Sequence, residues 1–455
     1  MATHTLDRQA QPKQGFDGPD VPSDEIINTC VRCGFCLTSC PTYLETRVET
    51  SSPRGRIYLM KSVSEGRLDV TSPGFVHQMY ECLDCRACED VCPSGVQYGK
   101  IVEPARTQVE RHIRRPLAQR LLRKVTFEAL FPNMRLFRLQ SSLFRLYQRS
   151  GAQWLVRRTG LLKPLGLAET ERFLPRLSGR FFVPAGQVYP AVGPRRARVA
   201  LFAGCIMSTA FARVDRATAR VLARNGCEVV VPPAQGCCGA LNVHGGDLAS
   251  ARAMMRRNIA AFEDLGVDAI IINAAGCGST LKEYGHLLHD DPAWADRAAA
   301  FAAKVKDVSE YLTGLGLVGE LGRIEARVTY QDACHLAHAQ RITKPPRQLL
   351  AAIPGVEFVE MPESSLCCGS AGIYNITNPE MSRRLMERKA RNVRAVTPEI
   401  VVSGNPGCMI QLKAGLERAG AGHVKVKHVA ELLDEAYRRA EGAGVRRRVG
   451  VERRA

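Results

Sequence analysis

Two cysteine runs stand out in the first hundred residues: Cys30, Cys33, Cys36 and Cys40 followed by Pro41, and Cys82, Cys85, Cys88 and Cys92 followed by Pro93. Both read C-x2-C-x2-C-x3-C-P. Three thiolates spaced this way wrap three corners of a four-iron cube, and the fourth, turned away by its proline, reaches a neighbouring cube. Cys30, Cys33, Cys36 and Cys92 are therefore expected to hold one [4Fe-4S] cluster, and Cys82, Cys85, Cys88 and Cys40 a second. Zinc also takes C-x2-C pairs, but a tetrahedral site would leave the third cysteine and the proline without a purpose. The chemistry implied is one-electron transfer.

The residues around these thiols bear on the same chemistry. Arg54 and Arg56, in the stretch Ser52-Pro53-Arg54-Gly55-Arg56 between the motifs, are placed to stabilise reduced, more negative clusters, or simply to start a helix packed on the module. Asp84, Glu89 and Asp90 stand beside the second set and would lower its potential.

A second cysteine pattern occupies the C-terminal half. Cys205, Cys237-Cys238-Gly239 and Gly276-Cys277 are followed by Cys334, Cys367-Cys368-Gly369 and Gly407-Cys408, each landmark recurring at an offset of 129 to 131 residues. Two copies of one fold are implied. Each copy offers four thiols, enough for one cluster each or for a shared centre, with a structural role as the alternative. His244, His335 and His338 are candidate extra ligands or proton donors. Cys227 falls outside the repeat and reads as core.

Each copy has an apolar run ending at its first cysteine (RVALFAGC, RVTYQDAC), a second before the Cys-Cys-Gly turn and a third before the last cysteine. Helical stretches at 209–225, 247–265 and 378–394 alternate with them, which predicts parallel α/β units with the thiols at the strand C-terminal ends. The fold class is thus a multidomain α+β and α/β chain: a helical two-cluster module, a basic helical connector and a duplicated α/β half. The expected boundaries are a disordered N-terminal lead over 1–23, the two-cluster domain over 24–105, the connector over 106–196, cysteine-rich domains over 197–322 and 323–440, and a basic tail over 441–455.

The connector carries most of the charge. Residues 106–198 hold twenty Lys or Arg against Glu110, Glu128, Glu169 and Glu171, in a chain whose net charge is +18. Leu117, Leu121, Val125, Leu136, Leu139, Leu143 and Tyr147 recur at helical intervals, predicting two helices broken near Phe131-Pro132-Asn133. They pack this stripe on their own domain with a solvated basic face, or they lie on a membrane surface. Residues 184–194 read as a linker. No apolar run approaches a membrane span and the N-terminus has no export signal, so a cytoplasmic protein is expected. Nucleic-acid binding is disfavoured: the basic zone lacks a recognition motif, and 28 aromatics in 455 residues offer few stacking platforms.

Over nearly its whole length the chain resembles the iron-sulfur subunits of glycolate oxidase. The resemblance rests on CVRCGFCLTSCPTY, SPRGRIYLMK, CLDCRACEDVCPSGVQY, AQGCCGALNVH, GCGSTLKEYG and SSLCCGSAGIYNITNP. The C-terminal copies also look like the CCG domains of heterodisulfide reductases, where the last cysteine belongs to a C-x2-C pair. Here Ala274 and Asn405 stand at its first position, a departure that resembles the glycolate branch. The resemblance implies partner FAD-binding subunits that oxidise glycolate to glyoxylate in a hetero-oligomer. This chain would relay electrons toward a quinone-type acceptor, with peripheral attachment to the inner face of the cytoplasmic membrane. An electron-transfer subunit of a lactate or other FAD-linked 2-hydroxyacid dehydrogenase is the near alternative and a heterodisulfide-reductase-like enzyme the distant one. No G-x-G-x-x-G marks a flavin site here, so substrate oxidation falls to the partners and no catalytic residue is assigned.

Overall fold

A computed structural model describes residues 14–164, 168, 171, 173–177 and 179–452, with side chains through 442. The chain divides into two compact units. The first comprises residues up to Pro116 together with Val243–Asp247, and the second comprises Leu117–Asn242 and the chain from Leu248.

The first unit is helical: α1 (Asp24–Asn28), α2 (Pro41–Thr46), α3 (Pro53–Ser64), α4 (Pro73–Glu81), α5 (Ala87–Asp90) and α6 (Gly99–His112). Local chemistry sets the starts. Pro41, Pro53 and Pro73 open their helices, where the missing N–H costs nothing, and Ser52 caps α3 by accepting from the Gly55 N–H. Only glycine fits at position 55, because a Cβ there would lie 2.0 Å from the Glu49 carbonyl oxygen. The core packs Ile57, Met60 and Val63 of α3 against Phe75 and Met79 of α4 and Ile101, Val102 and Ala105 of α6. The expected lead over 1–23 is corrected at 14–23: the Gln108 amide donates to the carbonyls of Asp17, Pro19 and Asp20, and Val70 donates to Gln14. Residues 1–13 lie outside the described residues. The expected boundary at 105 cuts α6.

The second unit contains two sheets. Strands β1 (Val188–Tyr189), β2 (Ala197–Phe202), β3 (Cys227–Val230), β4 (Ala269–Ile272) and β5 (Val305–Asp307) form one in the order β1-β3-β2-β4-β5. Strands β6 (Ala326–Tyr330), β7 (Val356–Phe358), β8 (Ile400–Val402) and β9 (Lys425–Lys427) form the other in the order β7-β6-β8-β9. All pairings are parallel except β1 with β3. The duplication is thus present in the topology, and each first strand runs into its first cysteine. Cys227 lies in β3 and is fully buried, as expected of core. The segment 184–194 is more than a linker, since its Val188 and Tyr189 pair on the edge of the first sheet. Past 441 the last helix continues to Glu452.

The connector joins this second unit. Helix α7 (Leu117–Arg123), a π-helical stretch Lys124–Leu130, α8 (Met134–Arg149) and α9 (Ala152–Thr159) break where expected, at Phe131-Pro132-Asn133, with the Asn133 side chain capping α8. The packing differs from expectation. Phe127, Phe131 and Phe137 are the buried apolar residues, in a row of tilted rings with centroids 6.2 and 5.9 Å apart, while the leucine stripe is exposed.

Candidate electron-transfer centres

The two N-terminal motifs share a backbone conformation. In the first, Arg32 and Gly34 are left-handed, with φ of 57° and 89°; in the second, Asp84 and Arg86 occupy the same motif positions with φ of 50° and 62°. These turns curl each loop so that successive thiols face one side. Non-glycine residues in this region cost about 1 kcal/mol each, and here an ion pair of 2.9 Å between Asp84 and Arg86 holds the second loop in place.

Each loop faces a cavity, and apart from Cys88 the two cavities are lined by different thiols. The first, about 410 Å³ and partly open to solvent, is lined by Cys30, Cys33, Cys36 and Cys92. The second, about 320 Å³ and likewise partly open to solvent, is lined by Cys40, Cys82 and Cys85. Cys88, Pro53 and Tyr98 line both. Among the described residues no three thiols lie within 4.8 Å of one another, too wide a spread for a tetrahedral zinc site with bonds of about 2.3 Å. The residues therefore fit cubane clusters.

The surroundings of the two sites differ. Cys33 is exposed in the first, whereas all four thiols of the second are buried. Arg56, only 1% exposed, approaches Cys40 Sγ at 4.0 Å, donates twice to Thr42 at 3.1 Å and pairs with Glu81 at 2.9 Å. The Asp84 N–H points at Cys82 Sγ at 3.4 Å, a contact that favours a thiolate. Arg54 stays nearer the surface, where it pairs with Glu49. Of the three acids expected to lower the second site's potential, Asp84 is neutralised by Arg86 and His244, Glu89 accepts from the Gly99 N–H, and Asp90 faces solvent. Tyr98 and Thr42 carried no sequence signal beyond their place beside the motifs.

His244 is a correction. Its ring lies 3.1 Å from both Asp84 and Glu103, and Arg86 reaches the same Glu103 at 2.9 Å. Burial opposes the charged ring, but the two carboxylates outweigh it and raise its pKa to about 9. It is a cation in an ion network with Asp84, Glu103 and Arg86 of the first unit. That partnership spans 141 residues of sequence, which no local pattern reveals.

In the second unit each copy gathers its four thiols into an arc. Cys205 Sγ lies 3.7 Å from Cys237 Sγ, Cys237 hydrogen-bonds Cys238, and Cys238 hydrogen-bonds Cys277. The other arc runs Cys334, Cys367, Cys368, Cys408, opening with a contact of 4.0 Å. Hydrogen bonds from neighbouring thiols hold Cys237 and Cys368 below the usual thiol range. Those bonds, with burial, push Cys205, Cys238, Cys367 and Cys408 up. Asn405 donates to Cys408 Sγ at 3.4 Å and accepts from the Gly276 N–H at 3.2 Å, so it ties one arc to the turn that bears Cys277. Ala274 can make no such bond. His338 hydrogen-bonds the Ser365 carbonyl at 3.1 Å, and His335 stands near Gly276.

Comparison with known proteins agrees with this layout. The family model described as a 4Fe-4S dicluster domain matches residues 26–96. The cysteine-rich domain model matches twice, at 199–282 and 328–413. The linker region of the glycolate oxidase iron-sulfur subunit matches 118–174. The chain is 46% identical over 422 residues to a probable glycolate oxidase iron-sulfur subunit of Bacillus subtilis (strain 168), covering 90% of this chain and 94% of that protein. It is 34% identical over 420 residues to the glycolate oxidase iron-sulfur subunit of Escherichia coli (strain K12), covering 91% and 95%. A lactate utilization protein A of Oceanobacillus iheyensis is 34% identical over 238 residues, 52% of this chain and 96% of that one. These matches mark an iron-sulfur component of an oxidoreductase complex, and the chain belongs to the family of glycolate oxidase iron-sulfur subunits.

Proposed function

We propose that this chain is the electron-relay subunit of a cytoplasmic glycolate-oxidising complex. Partner FAD-binding subunits oxidise glycolate to glyoxylate, and electrons pass through this chain to a quinone-type acceptor at the inner face of the membrane. The observation that carries the reading is the pair of adjoining cavities walled jointly by Cys88, Pro53 and Tyr98. A bound [4Fe-4S] cluster supplies one-electron acceptance and release, so two neighbouring clusters let a two-electron flavin empty in single steps. Cys30, Cys33, Cys36 and Cys92 would hold one cluster and Cys82, Cys85, Cys88 and Cys40 the other. The protein's own contribution is to bury the four thiols of the second site, to set its charge through Arg56 and to orient Cys82 through the Asp84 N–H.

The two thiol arcs of the second unit are candidates for a further iron-sulfur centre. A lactate or other 2-hydroxyacid is the second reading of the substrate, favoured by the lactate utilization relative. The linker match favours glycolate. The assembled complex, mixed anaerobically with glycolate or with lactate, tests the choice through bleaching of the cluster absorbance. Rapid bleaching by glycolate and slow bleaching by lactate is the expected result; the reverse order would overturn the substrate assignment.

A further inference from the structure

The connector helices present an apolar face that is exposed among the described residues. Of the 23 large apolar side chains exposed among the described residues, 12 fall between Leu117 and Leu161. On α8, Leu136, Leu139, Leu143 and Leu146 follow one another at intervals of three and four, which places them on one side of the helix. Leu146 is 62% exposed, and Leu117 on α7 reaches 80%. The opposite side is anchored. Phe127, Phe131 and Phe137 are buried, the Asn242 amide donates to the Phe127 carbonyl at 3.0 Å, and Arg257 donates to the Pro132 carbonyl at 2.7 Å. The leucines therefore face outward from a docked element.

Two features indicate the occupant. The first is charge: residues 117–163 carry ten Lys or Arg and a single acid, Glu128. A one-sign basic flank beside an apolar stripe matches an anionic headgroup layer over acyl chains. The second is residue type. Nine of the twelve exposed apolar residues are leucine. Leucine is under-represented among the residues that dominate protein-protein binding, yet suits insertion at the headgroup and acyl boundary. Trp154, with Arg158 stacked 5.3 Å above its ring, adds the aromatic-basic pair typical of that boundary. Among the described residues no helix is long and apolar enough to cross a membrane, so any attachment made by these helices lies in the interface plane.

We propose that α7, α8 and α9 form a membrane-surface anchor, with the leucine face inserted into an anionic bilayer and the flanking arginines and lysines on its headgroups. The inference rests on the membrane-side acceptor proposed above and names the surface that brings the relay to it. The test is co-sedimentation of the full cluster-loaded chain with vesicles of phosphatidylcholine alone or with phosphatidylglycerol added. Binding is expected only to the phosphatidylglycerol vesicles and should weaken with salt. The triple variant L139S/L143S/L146S should lose about tenfold or more of it with cluster absorbance unchanged. R135Q/R149Q should weaken binding to the phosphatidylglycerol vesicles and flatten its dependence on phosphatidylglycerol content and on salt, and a variant that binds with an unchanged dependence on both overturns the inference. Wild-type chain left in the supernatant with both vesicles overturns the inference. So does a triple variant that sediments as well as wild type, or one whose only loss is its flavin subunits, which would make the face a protein interface. If glycolate still bleaches the clusters of the assembled complex in any of these cases, the electron-relay reading stands and only the anchor falls.

Discussion

Arg56 shows how one residue sets the character of a site. Its guanidinium is a fixed positive charge, sealed from water and 4.0 Å from Cys40 Sγ, balanced on its far side by Glu81. A reduced cluster carries one more negative charge, so Arg56 favours reduction and Glu81 opposes it. In an EPR-monitored redox titration, Arg56→Gln should lower the potential of the cluster proposed at Cys40, Cys82, Cys85 and Cys88 by roughly 50–100 mV. Glu81→Gln should raise it. Shifts of the same sign in both variants would refute the electrostatic account. Breaking this buried pair also costs about 3–5 kcal/mol of stability, so each variant needs its cluster content measured. At this scale the thiols were legible because cluster chemistry restricts their spacing, whereas Arg56 was readable only as one of two equal candidates. Asp84 and Arg86 in left-handed turns were not foreseeable, since sequence reserves such turns for glycine. His244 was misplaced because its partners are distant in the chain.

Elements were legible where they carried long apolar runs. The three thiol-bearing strands of each copy and the break at Phe131-Pro132-Asn133 follow the sequence pattern. Strands β5 and β9 escaped it because Val-Lys-Asp and Lys-Val-Lys are three-residue, charged segments at sheet edges. The leucine stripe of α8 was legible, but the face that packs proved to be the phenylalanine row, for amphipathic spacing does not say which side meets protein. His428 gives the element-scale prediction. Its ring accepts from the Ala430 N–H at 3.1 Å at the start of the last helix and hydrogen-bonds the Asn273 carbonyl, both satisfied by a neutral ring. Burial lowers its pKa to about 4. Below the unfolded value near 6.5 the unfolded chain takes up a proton that the fold refuses, so this group's contribution to stability falls between about pH 6.5 and pH 4. Relative to wild type, His428→Asn should gain about 3 kcal/mol between pH 7 and pH 4 in denaturant titrations. An equal offset at both pH values would contradict this account.

For the whole molecule, the order of two-cluster module, basic linker and duplicated cysteine-rich half was readable from the spacing of landmarks, and family comparison agrees with it. The domain edges were not, because α6 runs past the expected boundary and Val243–Asp247 is assigned to the first unit from a distant stretch of chain. The account's central claim is that two adjoining [4Fe-4S] clusters pass single electrons. EPR of the full chain reduced with dithionite tests it most directly. Two clusters in cavities with common walls should contribute a spin-coupled signal of about two spins per chain, which Cys92→Ser reduces to one uncoupled signal. A wild-type spectrum from one magnetically isolated cluster, or zinc in place of iron, would contradict it.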